Sequence, residues 1–176
     1  MQRPITSHQK KLSALCAIVG AESTSKDLES IELSGIAQAS QSVLPGDLFI
    51  ALPGEKFHGA QFASDAISRG AVAVLTDANG AKEIKGVPVL ISTNPRRAAG
   101  IASAWFYSEP MRDLYSVGVT GTNGKTTVTT LLHQIMTAAG RDSGLIGTVE
   151  TRIGVESIAS KRTTPESSDL QALSAV

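Results

Sequence analysis

The feature that most constrains this chain is a glycine-rich turn placed between a predicted strand and a predicted helix. Residues 114–120 are apolar and β-branched enough to predict a strand, and apolar residues three and four apart from Val128 to Met136 predict a helix. Between them, glycines allow successive backbone N–H groups to point inward at phosphate oxygens, and the helix N-terminus adds positive potential. The sequence therefore predicts a phosphate-binding loop.

Every residue of the loop from Gly121 to Thr127 is a candidate nucleotide ligand. Lys125 is predicted to reach the β- and γ-phosphates, and the Thr126 hydroxyl to ligate Mg²⁺, so these two residues are the catalytic candidates. The residues predicted to bind ATP are Gly121, Thr122, Asn123, Gly124, Lys125, Thr126 and Thr127.

The loop departs from the general P-loop pattern in one respect. The pattern G-x-x-x-x-G-K-[ST] requires glycine at position 119, where this chain has Val119, and glycine stands at positions 118 and 121 instead. The alternative is a glycine-rich turn that carries one solvated lysine. A P-loop GTPase or kinase is a further alternative, although it would leave the first hundred residues unexplained.

Residues 1–108 alternate between strand-like and helix-like segments. Three apolar runs at residues 47–52, 71–75 and 87–91 predict strands, and amphipathic stretches between and after them predict helices. Asn94-Pro95 is typical of a helix start, as cap and first residue. This alternation predicts an α/β fold with a parallel or mixed sheet, and residues 109–113 are the candidate linker.

Charge and composition restrict the partners. The chain has 16 basic and 16 acidic residues and 4% aromatic residues, which argues against nucleic acid binding. No apolar run approaches the ~20 residues that cross a bilayer, so we expect no membrane insertion. The single cysteine, Cys16, fits a reducing compartment, and a cytoplasmic location is the expectation.

Several motifs in order resemble the Mur ligases, the ATP-dependent amide ligases of peptidoglycan precursor synthesis. The loop at residues 120–127 resembles that family's variant loop, and residues 45–54 with His58-Gly59 resemble its uridine-nucleotide-binding domain. Residues 144–149 and 163–166 point to the third ligase of the pathway, with the fourth as the nearest alternative. The resemblance runs from about Ile31 to the last residue.

The resemblance implies a reaction and its partners. Such a ligase adds a diamino acid, meso-diaminopimelate or L-lysine, to the D-Glu γ-carboxylate of UDP-MurNAc-L-Ala-D-Glu. ATP converts the carboxylate to an acyl phosphate, which the amine attacks with loss of phosphate. Mg²⁺ and the loop lysine offset the charge that gathers on the phosphoryl group.

The resemblance also implies substrate-binding residues. Ser40 would contact the UDP-sugar, Lys56 would lie near the diphosphate, and Thr163 and Thr164 would hold the muramoyl-peptide end. The alternatives stay open: a loop hydroxyl without a ligand at Ser40, a solvated Lys56, and a turn before Pro165 at the two threonines.

The expected organisation is an N-terminal UDP-sugar-binding domain at residues 1–112 and the incomplete beginning of an ATP-binding domain at residues 113–176. The amino-acid-binding domain of the family would be absent, so we expect this chain to be the N-terminal part of a longer ligase that does not turn over alone. A non-catalytic UDP-sugar-binding fragment is the alternative. Residues 114–176 are expected to be less stable than residues 1–108, because a short ATPase sheet leaves an open edge.

Overall fold

The computed structural model describes residues 9–154, 156–159 and 165–176. Its strands are β1 (Lys10–Lys11), β2 (Glu22–Ser23), β3 (Glu32–Leu33), β4 (Gly35–Ala37), β5 (Asp47–Ile50), β6 (Ala73–Thr76), β7 (Val89–Ile91), β8 (Gly144–Ile146), β9 (Glu150–Ile153) and β10 (Glu156–Ala159). Its α-helices are α1 (Leu12–Val19), α2 (Ala63–Ser68), α3 (Ala78–Ala81), α4 (Pro95–Phe106), α5 (Lys125–Ala138) and α6 (Ser167–Ser174).

A mixed five-stranded sheet organises the N-terminal part of the chain. Its order is β2-β7-β6-β5-β4, with β4, β5, β6 and β7 parallel and β2 antiparallel at one edge. In register, Phe49 of β5 stands opposite Val74 of β6, which stands opposite Val89 of β7. The α/β fold with a mixed sheet predicted from the alternating pattern is therefore confirmed.

Helices cover both faces of this sheet. Alternate residues point to opposite faces, so Leu48 and Ile50 pack in a cluster with α1 and α4, whereas Phe49 packs in a second cluster with α2. Leu48, Phe49 and Ile50 are each at most 1% exposed. Burial on both faces explains why β5 is a continuous apolar run rather than an alternating one.

Helix α4 begins where its sequence predicts. The Asn94 side chain accepts a hydrogen bond from the backbone N–H of Arg97 at 3.1 Å, and Pro95 is the first helical residue. Its stripe of small residues, including Ala98 and Ala102, is buried against the sheet. The predicted helix start is confirmed.

The region after residue 113 differs from the prediction in its strands. Residues 114–120 were expected to form the first strand of a parallel ATPase sheet, but they are irregular, and Tyr115 is 91% exposed. The described sheet of this region is instead antiparallel, in the order β10-β9-β8. An apolar, β-branched run becomes a strand only beside a partner strand, and the chain pairs β8 with its sequence neighbour β9.

Helix α6 packs against α4. Ala172 of α6 is fully buried and shares the cluster that contains Ala99, Ala102 and Phe106. The proposed boundary between residues 112 and 113 stays a prediction. Among the helices of the described residues, none is long and apolar enough to cross a membrane.

Candidate functional site

The glycine-rich loop leads directly into α5 through two unusual backbone conformations. Gly121 has a φ of +153° and Gly124, the N-cap of α5, has a φ of +80°. A Cβ atom at Gly124 would meet nothing within 4 Å, so space above the loop is open and the need for glycine there is conformational. No side chain caps the helix at Gly124, which leaves the first-turn N–H groups available to an anion.

Lys125 folds back over this loop. Its ammonium group donates to the carbonyl oxygens of Gly121 at 2.5 Å and Thr122 at 3.3 Å. Residues 121–127 are all exposed, including Thr126. The loop thus gathers one cation, a helix N-terminus and free hydroxyls on an open surface, which fits the oxygen-rich, anionic phosphates of a nucleotide.

Ser40 lies at the start of a 3₁₀ turn that follows the carboxyl end of β4. It is 3% exposed. The Ser40 hydroxyl, ahead of the Arg69 guanidinium, lowers the pKa of the Asp65 carboxyl on α2. Ser40 is therefore buried beside a carboxylate of the fold, and a ligand would have to reach its hydroxyl there.

Lys56 lies in an exposed loop after β5. The loop is closed at its base by a bridge between Pro53 and His58, with the Gly54 N–H donating to the Phe57 carbonyl at 3.1 Å. Ser40 and Lys56 both follow the carboxyl ends of adjacent parallel strands, which is the edge where open α/β sheets bind ligands.

His58 and Asp77 fix the base of the Lys56 loop, and sequence reasoning missed this pair. His58 Nδ1 accepts from the Ala60 N–H at 3.0 Å, so Nε2 carries the ring proton and donates to Asp77 Oδ1 at 3.2 Å. Asp77 also caps α3, and its pKa is lowered first by the Gly80 backbone N–H and then by His58. The Asp77-Ala78-Asn79 sequence could have indicated the cap, but nothing local indicated the histidine.

Gln38 was also missed. It lies just after β4, and its side chain meets the N-terminus of α6 at Ser168. Thr163 and Thr164 lie outside the described residues, so their predicted role stays a prediction; they immediately precede Pro165 in the sequence. The long separation between Gln38 and Ser168 hides this contact from any local pattern.

His133 and Cys16 lie among packed side chains and form local hydrogen bonds. His133 is buried and its Nδ1 lies 2.7 Å from the Ser143 hydroxyl. The Cys16 thiol donates to the Ala21 carbonyl at 3.1 Å, and burial raises its pKa, which disfavours the thiolate. Both side chains therefore serve packing and local hydrogen bonding in this fold.

The fold and loop define an α/β protein that presents a glycine-rich loop at the N-terminus of a helix. Family comparison matches residues 32–107 to "Mur ligase family, catalytic domain" and residues 119–176 to "Mur ligase middle domain". The chain belongs to the Mur ligase family.

Individual relatives support the same family. The chain is 47% identical over 176 residues to a UDP-N-acetylmuramoyl-L-alanyl-D-glutamate–2,6-diaminopimelate ligase of Streptomyces avermitilis, covering 99% of this chain and 34% of the relative. It is 50% identical over 149 residues to the ligase of the same name in Streptomyces coelicolor, covering 84% of this chain and 29% of the relative. The chain thus spans about a third of the length of the curated relatives it matches.

Solved structures agree on the fold. A structure of UDP-N-acetylmuramoyl-L-alanyl-D-glutamate–2,6-diaminopimelate ligase superposes with a TM-score of 0.67 at 22% identity, over 95% of this chain and 33% of that one. A UDP-N-acetylmuramoylalanyl-D-glutamyl-2,6-diaminopimelate–D-alanyl-D-alanyl ligase from Acinetobacter baumannii gives 0.63 at 20% identity, over 98% and 34%. At these identities the likeness concerns the fold alone.

Proposed function

We propose that this chain is the nucleotide-handling part of a MurE-type ligase, which joins 2,6-diaminopimelate to UDP-MurNAc-L-Ala-D-Glu in the cytoplasm at the expense of ATP. The observation that supports the proposal is the pairing of the two family matches with a glycine-rich loop at residues 121–127 that leads into the N-terminus of α5. The choice of diaminopimelate over L-lysine rests on the names of relatives at 47% and 50% identity.

The N-terminal sheet supplies the uridine-nucleotide site in this proposal. Ser40 and Lys56 follow neighbouring parallel strands at the same sheet edge. Lys56 offers a cation to the diphosphate, and the Ser40 hydroxyl offers a hydrogen bond beside Asp65. Thr163 and Thr164 would hold the muramoyl-peptide end with their hydroxyls.

The loop supplies the ATP site. The Lys125 ammonium would exchange its two backbone carbonyl partners for phosphate oxygens, which carry full charge and form stronger hydrogen bonds. The N–H groups of the first turn of α5 would donate to the same phosphates. Mg²⁺, when bound, would neutralise phosphate charge next to the exposed Thr126 hydroxyl, an oxygen ligand of the kind this cation prefers.

For the 176-residue polypeptide alone we propose binding without ligation. Every residue from 121 to 127 is exposed, so a nucleotide on the loop would stay open to water. Phosphoryl transfer to a carboxylate requires a site that excludes water, because water competes with the acceptor and weakens the electrostatic stabilisation of the transition state.

Calorimetric titration of the chain tests the binding part. UDP-MurNAc-L-Ala-D-Glu and Mg²⁺-ATP are titrated separately, with Lys125→Ala as the loop variant and Lys85→Ala as a control of equal charge change at another exposed lysine. We expect Lys125→Ala to weaken ATP binding about tenfold or more, because a charge-assisted hydrogen bond to phosphate is lost, and Lys85→Ala to leave it unchanged. Equal affinities in all three proteins would contradict the assignment of the loop.

Phosphate release tests the absence of ligation. The chain is incubated with Mg²⁺-ATP, UDP-MurNAc-L-Ala-D-Glu and either diaminopimelate or L-lysine, and phosphate is measured together with the tripeptide product. We expect neither to form. Measurable product with either amino acid would overturn the proposal that the polypeptide binds without catalysing.

A further inference from the structure

We propose that Gln38 is a positioning residue: it caps α6 from across the fold and thereby holds the segment after Thr163 and Thr164 at the carboxyl edge of the N-terminal sheet. The inference deepens the proposed function and rests on it, because those threonines are its proposed muramoyl-peptide ligands. Neither the family matches nor the names of the relatives assign a role to Gln38.

The contact has the geometry of a helix cap supplied by a distant residue. The Gln38 Oε1 atom accepts from the Ser168 hydroxyl at 2.8 Å and from the Ser168 backbone N–H at 3.2 Å. Its Nε2 atom donates toward Glu166 Oε2 at 3.5 Å. Glu166, the N-cap residue of α6, makes no capping bond with its own side chain. Gln38 therefore satisfies a first-turn donor that the helix leaves open.

Burial makes this contact consequential. Ser168 is 1% exposed and Gln38 is half-buried. Removing the Gln38 amide would leave a buried hydroxyl and a buried N–H without their acceptor, which disfavours the docked state. Water would have to enter, or the first turn of α6 would have to move away from the sheet.

The apolar side of α6 lets this helix lie close to α4. Ala172 packs among Ala99, Ala102 and Phe106, and small side chains at such a crossing let two helices lie near each other. Arg96 lies 3.8 Å from Glu166, but this arginine is exposed, so solvent weakens the ion pair. Gln38 consequently sets where the N-terminus of α6 stands, together with the Ser103 hydroxyl of α4, which lies 3.4 Å from that of Ser167.

The position of Gln38 links the two halves of the proposed substrate site. It follows the carboxyl end of β4 and precedes Ser40 by two residues. At its other end it holds Ser168, four residues after Thr164. One side chain therefore joins the sheet edge proposed for the uridine diphosphate to the segment proposed for the muramoyl-peptide.

Two measurements on the Gln38→Ala chain test the proposal, with Gln61→Ala as a control at an exposed glutamine. Hydrogen exchange reports the docking of residues 165–176, and calorimetry compares UDP-MurNAc-L-Ala-D-Glu with UDP alone. We expect Gln38→Ala to speed exchange in this segment about two- to thirtyfold, the range of a lost helix cap. We expect weaker binding of UDP-MurNAc-L-Ala-D-Glu and unchanged binding of UDP. Gln61→Ala should change neither.

Exchanging the amide of Gln38 with the carboxylate of Glu166 tests whether slow exchange and affinity can be restored. Gln38→Glu places two carboxylates together and should speed exchange. Gln38→Glu combined with Glu166→Gln keeps an acceptor for Ser168 at position 38 and re-forms the second bond in the reverse direction, with the donor at position 166. We expect the double variant to recover both the slow exchange and the affinity. Recovery would also show that the single variants act through this contact and not through a general loss of folding.

The outcomes separate this proposal from the one on which it rests. Unchanged exchange in Gln38→Ala would overturn the docking, and faster exchange with unchanged affinity, or with UDP weakened equally, would overturn the positioning role. If the wild-type chain bound UDP but not UDP-MurNAc-L-Ala-D-Glu, the substrate assignment of the threonines would fail even where exchange supports the cap. If it bound neither, the proposed function would fail and the positioning role with it.

Discussion

The two parts of the chain on either side of residues 109–113 have similar α/β sequence patterns but bury their apolar residues to different extents. Leu48, Val74 and Leu90 in the N-terminal sheet are fully buried. In α5 the residues of the apolar face stay exposed, with Leu131 at 51% and Ile135 at 62%. An amphipathic pattern thus predicts that a helix has an apolar face, while burial of that face depends on a second layer.

The difference in burial arises because the two parts have sheets of different size. Four adjacent parallel strands give α1, α2 and α4 a broad surface on which to pack, on two sides. The three antiparallel strands β8, β9 and β10 do not include residues 114–120, which stand before the loop without strand geometry. We therefore expect the N-terminal part to hold most of the stability of the chain.

Truncating one leucine in each part should give the largest contrast. Leu48→Ala opens a cavity in a fully buried strand and should lower the free energy of unfolding by about 2–5 kcal/mol. Leu131→Ala removes an exposed side chain from α5 and should change it by about 0.5 kcal/mol or less. Urea unfolding followed by circular dichroism measures both. A comparable loss from Leu131→Ala would mean that the face of α5 is covered in solution.

Two glycines that follow helices allow the packing of the two parts to be compared at the backbone. Gly70, after α2, has a φ of +103°, and a Cβ there would lie 2.7 Å from Pro45 Cα. Gly140, after α5, has a φ of +72° with nothing within 4 Å. Gly70→Ala combines backbone strain with a clash and should cost about 2–4 kcal/mol.

Gly140→Ala is the matched control, since it meets the strain alone and should cost about 1 kcal/mol. Thermal unfolding of the two variants and the wild type provides the comparison. Equal losses would indicate that the turn at Gly70 relaxes away from Pro45, and hence that the N-terminal part packs less tightly there than its burial indicates.

The same contrast explains which predictions from the sequence succeeded. Helix α4 was predictable because Asn94, Pro95 and its small-residue stripe lie within one short segment. The strands β5, β6 and β7 were predictable because burial on both faces leaves a continuous apolar run. The run at residues 114–120 gives the same local signal, yet strand formation depends on a partner that the local sequence does not specify.

The residues of the candidate site also differ in whether a local sequence pattern indicates them. The glycine-rich turn into α5 was predictable because glycines, lysine and helix start are adjacent in sequence, and Gly121 and Gly124 have positive φ values there. That residues 121–127 bind ATP stays a prediction. Gln38 and the His58–Asp77 pair were not predictable, because each acts through a residue distant in sequence. The effect of Ser40 on the pKa of Asp65 is also non-local, so no local pattern indicated it.

The two parts should also differ in how their stability depends on pH, because each contains a carboxylate with a lowered pKa. We expect this difference to be smaller than those from the leucine and glycine variants. Hydrogen bonds from the Gly80 N–H and from His58 hold the pKa of Asp77 below its ordinary value of 3.8. A carboxylate with a lowered pKa in the folded state stabilises it above the unfolded pKa, and this contribution is lost as pH falls through the folded pKa. Glu150 in β9 also has a lowered pKa, from Arg152 and then Ser157, which are both side chains.

Asp77→Asn should therefore lower the free energy of unfolding by about 0.5–1 kcal/mol at pH 7, since the three charge-assisted bonds from Asn79, Gly80 and His58 become neutral ones. The deficit should begin to shrink below about pH 4, where the unfolded carboxyl takes up a proton, and should be lost below the lowered folded pKa, where the wild-type carboxyl is neutral in both states. Glu150→Gln should have the smaller effect at every pH, because its partners are side chains that can turn to other acceptors, whereas the backbone N–H groups at the α3 cap are fixed. Urea midpoints at pH 7, 5, 4 and 3 measure both variants. A deficit for Asp77→Asn that persists unchanged to pH 3 would mean that shape at the α3 cap, and not the charge of Asp77, holds the base of the Lys56 loop.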